Sequence, residues 1–440
     1  MHTQSVKHHL VVKMRRLIPE PPHIPDWISF ITDKSSVVSS VNAEVDTALQ
    51  ARGFVFWVTH EYAPALDGWA ALEVHHGLDR TYRLVMQKTD TRLPDDVVLA
   101  VASLPSVESA HQLEVGGAAI PDQHPTRVAT AQSLEDDGRS MIGLDFARAL
   151  TRGRRDVRVA VLDTGINLEH PELRGKVVAK ADFVDLQGLD TSSFVGDFVG
   201  ADNDPEDELG HGTHVAGIIA AEGVRMEPGI APECGLMAVR VLATLETGGR
   251  KQGAGVVDNI NPAIKWAVDH RADVINMSLG IRHTGGGLPH EDVIRYALAK
   301  GVSVIAASGN DGTDTKYYPG ALPGVIAVGA VGSDRQVASF TSYGARITVV
   351  APGVNILSSF AKGRYAVASG TSQAAPCVAG AVALLKSFAR DNGFGLGVEE
   401  VARILRETSD RPDRRLRTPH AGYGVINMTD AFKWLMASLN

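Results

Sequence analysis

Ser372 stands in Gly370-Thr371-Ser372-Gln373-Ala374-Ala375-Pro376, where a tight glycine approach leads into an apolar helix predicted from Ser372 to about Phe388. A hydroxyl in the first turn of a helix lies among free backbone N–H groups at the positive end of the dipole, where negative charge is favoured. Such a serine is placed to act as a nucleophile, or simply to cap its helix. Asp163 ends the apolar run Val159-Ala160-Val161-Leu162 and precedes Thr164-Gly165, so its carboxylate either caps the next loop or serves chemistry. His211 opens the helical run His211-Gly212-Thr213-His214-Val215-Ala216-Gly217. Its two histidines raise the question of zinc, but there is no H-E-x-x-H and no third ligand at motif spacing. His214 is therefore expected to pack or hydrogen-bond within its helix. A hydroxyl, a base of near-neutral pKa and a carboxylate that orients the base are what acyl transfer needs.

The chain that must position these groups has 440 residues, enough for two units that each bury a core. Hydrophobic residues at 44% and charged residues at 21% describe an ordinary globular protein rather than a disordered one. A net charge of -8 and a pI near 6.1 argue against a general nucleic-acid binder, and the basic cluster from Arg411 to Arg417 reads as a solvated loop. Cys234 and Cys377 form at most one bridge, and their apolar surroundings favour buried free thiols. No apolar run reaches the roughly 18 residues of a membrane span. The first residues, through His8-His9-Leu10-Val11-Val12-Lys13-Met14-Arg15-Arg16, lack the apolar stretch of a signal peptide. As written, the chain is expected in the cytoplasm, with export by another route left open.

Residues 1–115 read as β-α-β-β-α-β: strands at Leu10–Met14, Phe54–Val58, Thr81–Met86 and Ser109–Val115, with helices at Asn42–Ala51 and Asp95–Ser103. This is the split βαβ order of a small α+β ferredoxin-like domain. Residues 116–139, rich in Gly, Pro, Gln, Thr, Asp and Ser, read as an exposed linker. From 140 to 440, uninterrupted Val, Ile, Leu and Ala runs alternate with helical ones. The strands are Val157–Leu162, Gly235–Leu242, Val274–Leu279, Val302–Ala307, Val325–Val331 and Ile347–Val350. The helices are Gly212–Ala221, Val256–His270, Pro289–Lys300, Ser372–Phe388, Val398–Glu407 and Met428–Ala437. Strands buried on both faces and β-α alternation predict a doubly wound, mainly parallel α/β sheet, with sites at the carboxyl ends of its strands.

Asp163, His211 and Ser372 occur in that order, each at a strand end or helix start. With D-T-G at Asp163, H-G-T-H-V-A-G at His211 and G-T-S-Q-A-A-P at Ser372, the chain resembles the subtilisin-like serine proteases over roughly residues 140 to 440. A fourth segment, Val304-Ile305-Ala306-Ala307-Ser308-Gly309-Asn310, ends a buried strand on an amide that by itself would read as a turn former. The resemblance makes Asn310 the side-chain donor of an oxyanion hole, with the Ser372 N–H as its partner. It also implies that Ser278, Leu279 and Gly280 face the segment around Gly253 across a cleft that pairs with an extended peptide. Tyr317 then falls at the floor of the main specificity pocket. Two departures from the family pattern stand out: Ile281 follows S-L-G where a second glycine is common, and Tyr317 is bulky.

The resemblance further implies that the N-terminal unit is a prodomain, an intramolecular inhibitor whose linker is cut, which makes the chain a self-processing zymogen. An adaptor domain is the rival reading of that unit. No cofactor is required for the chemistry. Structural calcium is a candidate family feature, for which Asp202, Asp204 and Asp207 in the acidic loop before His211 offer oxygens, although such a loop is usually just solvated. The loop from Glu222 to Gly229 lacks the Asn-rich look of the family's strong calcium site. The expected partner is a peptide or protein substrate. A catalytically silent peptide-binding scaffold of the same fold is the second reading. A lipase or esterase comes third, because the nucleophile segment is G-T-S-Q-A rather than G-x-S-x-G.

Overall fold

The computed structural model describes residues 9–17, 24–32, 37–87, 93–112, 115–118, 127–128, 138–186, 191–198, 203–282, 288–411 and 416–438. The apolar runs beyond residue 157 form a seven-stranded sheet. Its order is Ile347–Pro352, Ile326–Val331, Ser303–Ala307, Val274–Met277, Arg158–Asp163, Gly235–Arg240 and Val177–Asp182. All its neighbours pair in parallel. The chain enters in the strand Arg158–Asp163, adds two strands on one side, then crosses over and adds four on the other. That strand is therefore the switch point, where loops on the two sides diverge and leave a crevice at its carboxyl end. Asp163 is the residue at that end.

Alternate residues of this strand serve different cores. Val159 and Val161 pack with the helices His211–Ala220, Thr371–Asp391, Val398–Thr408 and Met428–Ala437, whereas Ala160 and Leu162 pack with Val257–Asp269 and Glu291–Ala299. In the helix Thr371–Asp391 every residue except Phe388, Arg390 and Asp391 is buried. It has no polar face, so it runs through the interior rather than over it. The strand Val177–Asp182 is the one member of the sheet that the sequence does not announce. It lies at the edge, is half-exposed through Lys180, and so carries no long apolar run.

The N-terminal unit is a four-stranded antiparallel sheet in the order Phe56–His60, Thr81–Met86, His9–Met14, Val107–Gln112, as the split βαβ order requires. Asn42, expected inside the helix, is instead its cap: its Oδ1 accepts from the Val45 N–H at 2.8 Å ahead of Ala43–Gln50. The short helices Trp27–Thr32 and Ala71–His76 are additions to the expected pattern. Two strands also appear at and beyond the start of the expected linker. Val115–Ala118 runs antiparallel to Gly253–Val256, and Arg127–Val128 runs antiparallel to Ala366–Val367. Most of the rest of 116–139 lies outside the described residues. In the basic cluster, Arg417 is not simply solvated, since its Nη2 donates to the carbonyls of Ala345 and Ile347 at 2.6 and 2.9 Å.

The N-terminal unit docks on the helices Val257–Asp269 and Glu291–Ala299 through apolar contacts of Tyr62 and Leu78 and through ion pairs, some of them taken out of water. Arg83, fully buried, donates from Nε and Nη2 to both carboxylate oxygens of Glu61 at 2.8 Å, and reaches Asn259 Oδ1 and the Asp258 carbonyl at the same distance. His111 Nε2 meets Asp258 Oδ1 at 2.9 Å, Lys13 meets Asp292 at 2.8 Å, and Lys265 pairs with Glu73. Such a pair is costly to break one-sidedly, because the surviving charge stays buried. Arg83→Ala is therefore expected to destabilise the protein by about 3–5 kcal/mol in chemical denaturation. A loss under about 1 kcal/mol would show that Glu61 and Asn259 find other partners.

Candidate active site

Asp163, at the end of the central strand, and His211, at the first residue of the helix His211–Ala220, meet because two glycines let the helix come close. Gly165 has φ +105°, and a Cβ on it would lie 2.3 Å from the Pro205 carbonyl; a Cβ on Gly212 would lie 2.1 Å from the Gly165 carbonyl. The result is a 2.6 Å hydrogen bond between His211 Nδ1 and Asp163 Oδ1, with both side chains buried. Asp163 Oδ1 also accepts from the Thr164 N–H at 2.7 Å. Asp163 Oδ2 and His211 Nε2 are buried and have no hydrogen-bond partner among the described residues. Burial pushes the His211 pKa down, but the charge and hydrogen bond of Asp163, helped by Asp207, more than offset it, and the net shift is upward.

Thr164 and Asp207 rivet this corner. Thr164 Oγ1 donates to Asp207 Oδ1 at 2.8 Å and accepts from the Gly212 N–H at 2.9 Å. Asp207 Oδ1 further accepts from the N–H groups of Leu209 and Gly210, and Oδ2 from the N–H and hydroxyl of Thr213. The carboxylate thus satisfies free N–H groups at the start of the His211 helix and ties them to the Asp163 turn. Nothing in the local pattern marks this role, apart from an acid four residues before a helix-opening histidine.

Ser372 sits in the first turn of Thr371–Asp391, and its hydroxyl donates to the Ser278 carbonyl at 3.1 Å. It does not hydrogen-bond to His211 Nε2, a looseness common before substrate binds. The backbone of Ser372 is fixed from the other direction. Pro376 has no N–H to donate to the Ser372 carbonyl four residues earlier, and the Ser278 hydroxyl takes that place at 2.8 Å. Asn310 is oriented by Thr371, whose N–H and hydroxyl donate to Asn310 Oδ1 at 2.8 and 3.0 Å. Its oxygen being engaged, Asn310 offers its Nδ2 donor to the pocket that it lines together with Ser372, Ser278, Leu279, Gly280 and Tyr317. Gly253 does not line that pocket; it lies in the strand Arg250–Val256, paired on one side with Thr244 and on the other with Ala118. The structure thus brings together Asp163 with His211, and Ser372 with Asn310 and the segment Ser278–Gly280.

His214 takes no part in this cluster. Its Nε2 meets the carbonyl of Ala366 at 3.1 Å, outside its own helix, and burial, with His211 nearby, pushes its pKa down to about 3. No group of three or more metal-ligating side chains occurs among the described residues. Of the acidic-loop candidates, Asp202 lies outside the described residues, Asp204 is exposed, and Asp207 points inward with both oxygens engaged by donors. Glu172, which the sequence reading passed over, holds the loop after the His211 helix. It accepts from the N–H groups of Gly223, Val224 and Arg225 at 2.7–2.8 Å and from the Tyr365 hydroxyl at 3.0 Å. Backbone donors aimed at a carboxylate are the opposite of what a hard cation needs, so Asp207 and Glu172 do not fit calcium.

Compared with known families, residues 154–425 match the subtilase family. The chain is 41% identical over 270 residues to the thermophilic serine proteinase of Bacillus sp. (strain AK1), covering 61% of this chain and 60% of that protein. It is 41% identical over 245 residues to an intracellular serine protease of Paenibacillus polymyxa, covering 54% of this chain and 69% of the relative. The major intracellular serine protease of Bacillus subtilis (strain 168) is 37% identical over 266 residues, with 58% and 76% covered. Among solved structures, the prenylagaramide maturation protease PagA superposes with a TM-score of 0.54 at 30% identity, covering 67% of this chain and 98% of that one.

Two measurements test this geometry. In NMR titrations the His211 imidazole is expected to titrate above the ordinary 6.5, and Asp163→Asn to lower it, because burial, the largest influence, is then opposed only by the weaker effect of Asp207. An unchanged midpoint in Asp163→Asn would refute the pairing. EDTA is expected to leave the melting temperature unchanged, whereas Glu172→Ala lowers stability by about 1–3 kcal/mol by stranding three N–H groups. Chelator-induced melting would show that a cation holds the loop after all.

Proposed function

The chain belongs to the subtilase family of serine endopeptidases, and on that premise we propose that it hydrolyses peptide bonds through an acyl-enzyme formed on Ser372. The observation that carries this reading is the 2.6 Å His211–Asp163 bond, taken with the pocket that Ser372 and Asn310 line together. Ser372 Oγ turns from the Ser278 carbonyl to His211 Nε2 and attacks the substrate carbonyl as the imidazole takes its proton. Asp163 holds Nδ1 protonated, which leaves Nε2 as the basic nitrogen, and its charge stabilises the imidazolium that forms. The oxyanion is met by Asn310 Nδ2 and the Ser372 N–H. His211 then passes its proton to the leaving amine, and water, deprotonated by the same imidazole, releases the acyl group. Raising the His211 pKa makes it a stronger base, and activity then requires a pH high enough to leave it neutral.

An extended peptide pairs its main chain with the edge Gly253–Gly255 and with Ser278–Gly280. The strand Val115–Ala118 of the chain itself lies on that first edge. This supports reading residues 1–115 as an intramolecular inhibitor and the protein as a zymogen that must cut and release its own linker before a substrate can enter. The unit boundaries at 115 and 139 belong to the same proposal. Intracellular action is the favoured setting. Two relatives carry it in their names, both cysteines are buried free thiols, and no described helix is long and apolar enough to cross a membrane.

Ser372→Ala is expected to lower kcat on the order of 10⁶, the size established for subtilisin rather than one that follows from this geometry. The same variant is expected to keep its N-terminal unit covalently attached, as read by mass spectrometry. Cleavage of peptides by the variant at the wild-type rate would remove Ser372 from the mechanism. Normal processing of it would assign the cut to another protease. If folded wild-type protein takes no fluorophosphonate label, the peptide-docking scaffold becomes the better reading.

A further inference from the structure

The pocket beside Ser372 and Asn310 is largely filled by the protein's own atoms. Its walls are Ser278–Gly280 and Ala307–Asn310, and glycines at 280 and 309 leave a slot between them. Tyr317 enters that slot from the two-residue strand Tyr317–Tyr318, which pairs with Ile281–Arg282. Its ring touches both walls. A Cβ on Gly309 would lie 2.3 Å from Tyr317 Cδ2 and 2.6 Å from Cε2, and a Cβ on Gly280 would lie 3.1 Å from Tyr317 Cβ and Cδ1. The space that remains in the slot is ≈ 30 Å³, where about 10–15 Å³ by the same measure holds one water, so it takes a small side chain and not an aromatic ring.

The ring is also fastened. The Tyr317 hydroxyl donates to Asp311 Oδ2 at 2.5 Å, and Arg282 Nη2 donates to the same oxygen at 2.6 Å. The Arg282 guanidinium carbon lies 5.9 Å from the ring centroid. Moving the ring out of the slot therefore breaks a charge-assisted hydrogen bond and a cation–π contact, which together oppose the entry of a large side chain.

We propose that Tyr317 is the specificity-determining residue of this site, and that it restricts the residue on the acyl side of the scissile bond to glycine, alanine or serine. This rests on the endopeptidase reading above and names its substrate class. A Phe or Leu side chain has to displace the Tyr317 ring, whereas a methyl or hydroxymethyl group fits in front of it. The strand that the chain itself lays on Gly253–Val256 includes Gly116-Gly117-Ala118, the same residue class.

The test uses two matched peptides that differ only in Ala or Phe at the acyl-side position, assayed with the processed full chain whose active sites are counted by fluorophosphonate. The Ala peptide is expected to have a kcat/KM at least about tenfold above the Phe peptide. Tyr317→Gly is expected to reverse that order. Asp311→Ala frees the ring hydroxyl without opening a cavity, and is expected to raise kcat/KM for the Phe peptide about tenfold, so the proposal stands on this arm if Tyr317→Gly does not fold. Equal cleavage of both peptides by labelled wild-type enzyme would overturn the proposal. An enzyme that neither takes the label nor cuts either peptide would overturn the endopeptidase reading, and this one with it.

Discussion

The interaction to which the rest of the structure is fitted is the hydrogen bond between Asp163 and His211. A carboxylate with no solvent exposure and an imidazole at 4% exposure cannot be left without partners, since removing such groups from water costs several kcal/mol each. Asp163 meets the requirement on one oxygen, with His211 Nδ1 and the Thr164 N–H. Its other oxygen has no partner among the described residues. The carboxylate therefore depends on the imidazole more than a fully satisfied one would. Keeping that pair dry and in register explains the cross-linking by Asp207, the close glycine contacts at 165 and 212, and the placing of Asp163 at the switch point of the sheet.

What was legible beforehand is what depends on local pattern. Asp163, His211, Asn310 and Ser372 stand at the ends of long apolar runs, where period and capping chemistry mark an element's boundary, and the same runs give six of the seven parallel strands. The edge strand Val177–Asp182 escaped because only one of its sides needs apolar residues. The strand Val115–Ala118 escaped for a different reason. Val-Gly-Gly-Ala has little strand propensity, and the strand exists because Gly253–Val256 offers it a row of main-chain partners. Contacts across long sequence separations were not readable at all: His214 reaches Ala366 across 152 residues, and Glu172 closes a loop whose three donors are backbone groups of any sequence.

The two units of the chain meet in a manner unlike either of their cores. The seam between the N-terminal unit and the helices Val257–Asp269 and Glu291–Ala299 combines Tyr62 and Leu78, which join the apolar cluster of those helices, with Arg83, Lys13, His111 and Lys265 against carboxylates and an amide. Charged seams favour one docked geometry and disfavour neighbours that would leave a charge unpaired. The apolar part of the seam adds burial, and the charged part fixes its register.

Pro376 has an effect beyond its own helix. Because it withholds one N–H, the Ser372 carbonyl accepts from Ser278, and Ser278 in turn accepts the resting hydroxyl of Ser372. On the proposed mechanism, the residue that attacks and a residue of the peptide-pairing edge are thus knotted into one unit. A peptide that tugs on the edge Ser278–Gly280 as it pairs would tug on the backbone of Ser372 as well, so that grip and reactivity would share a single hinge.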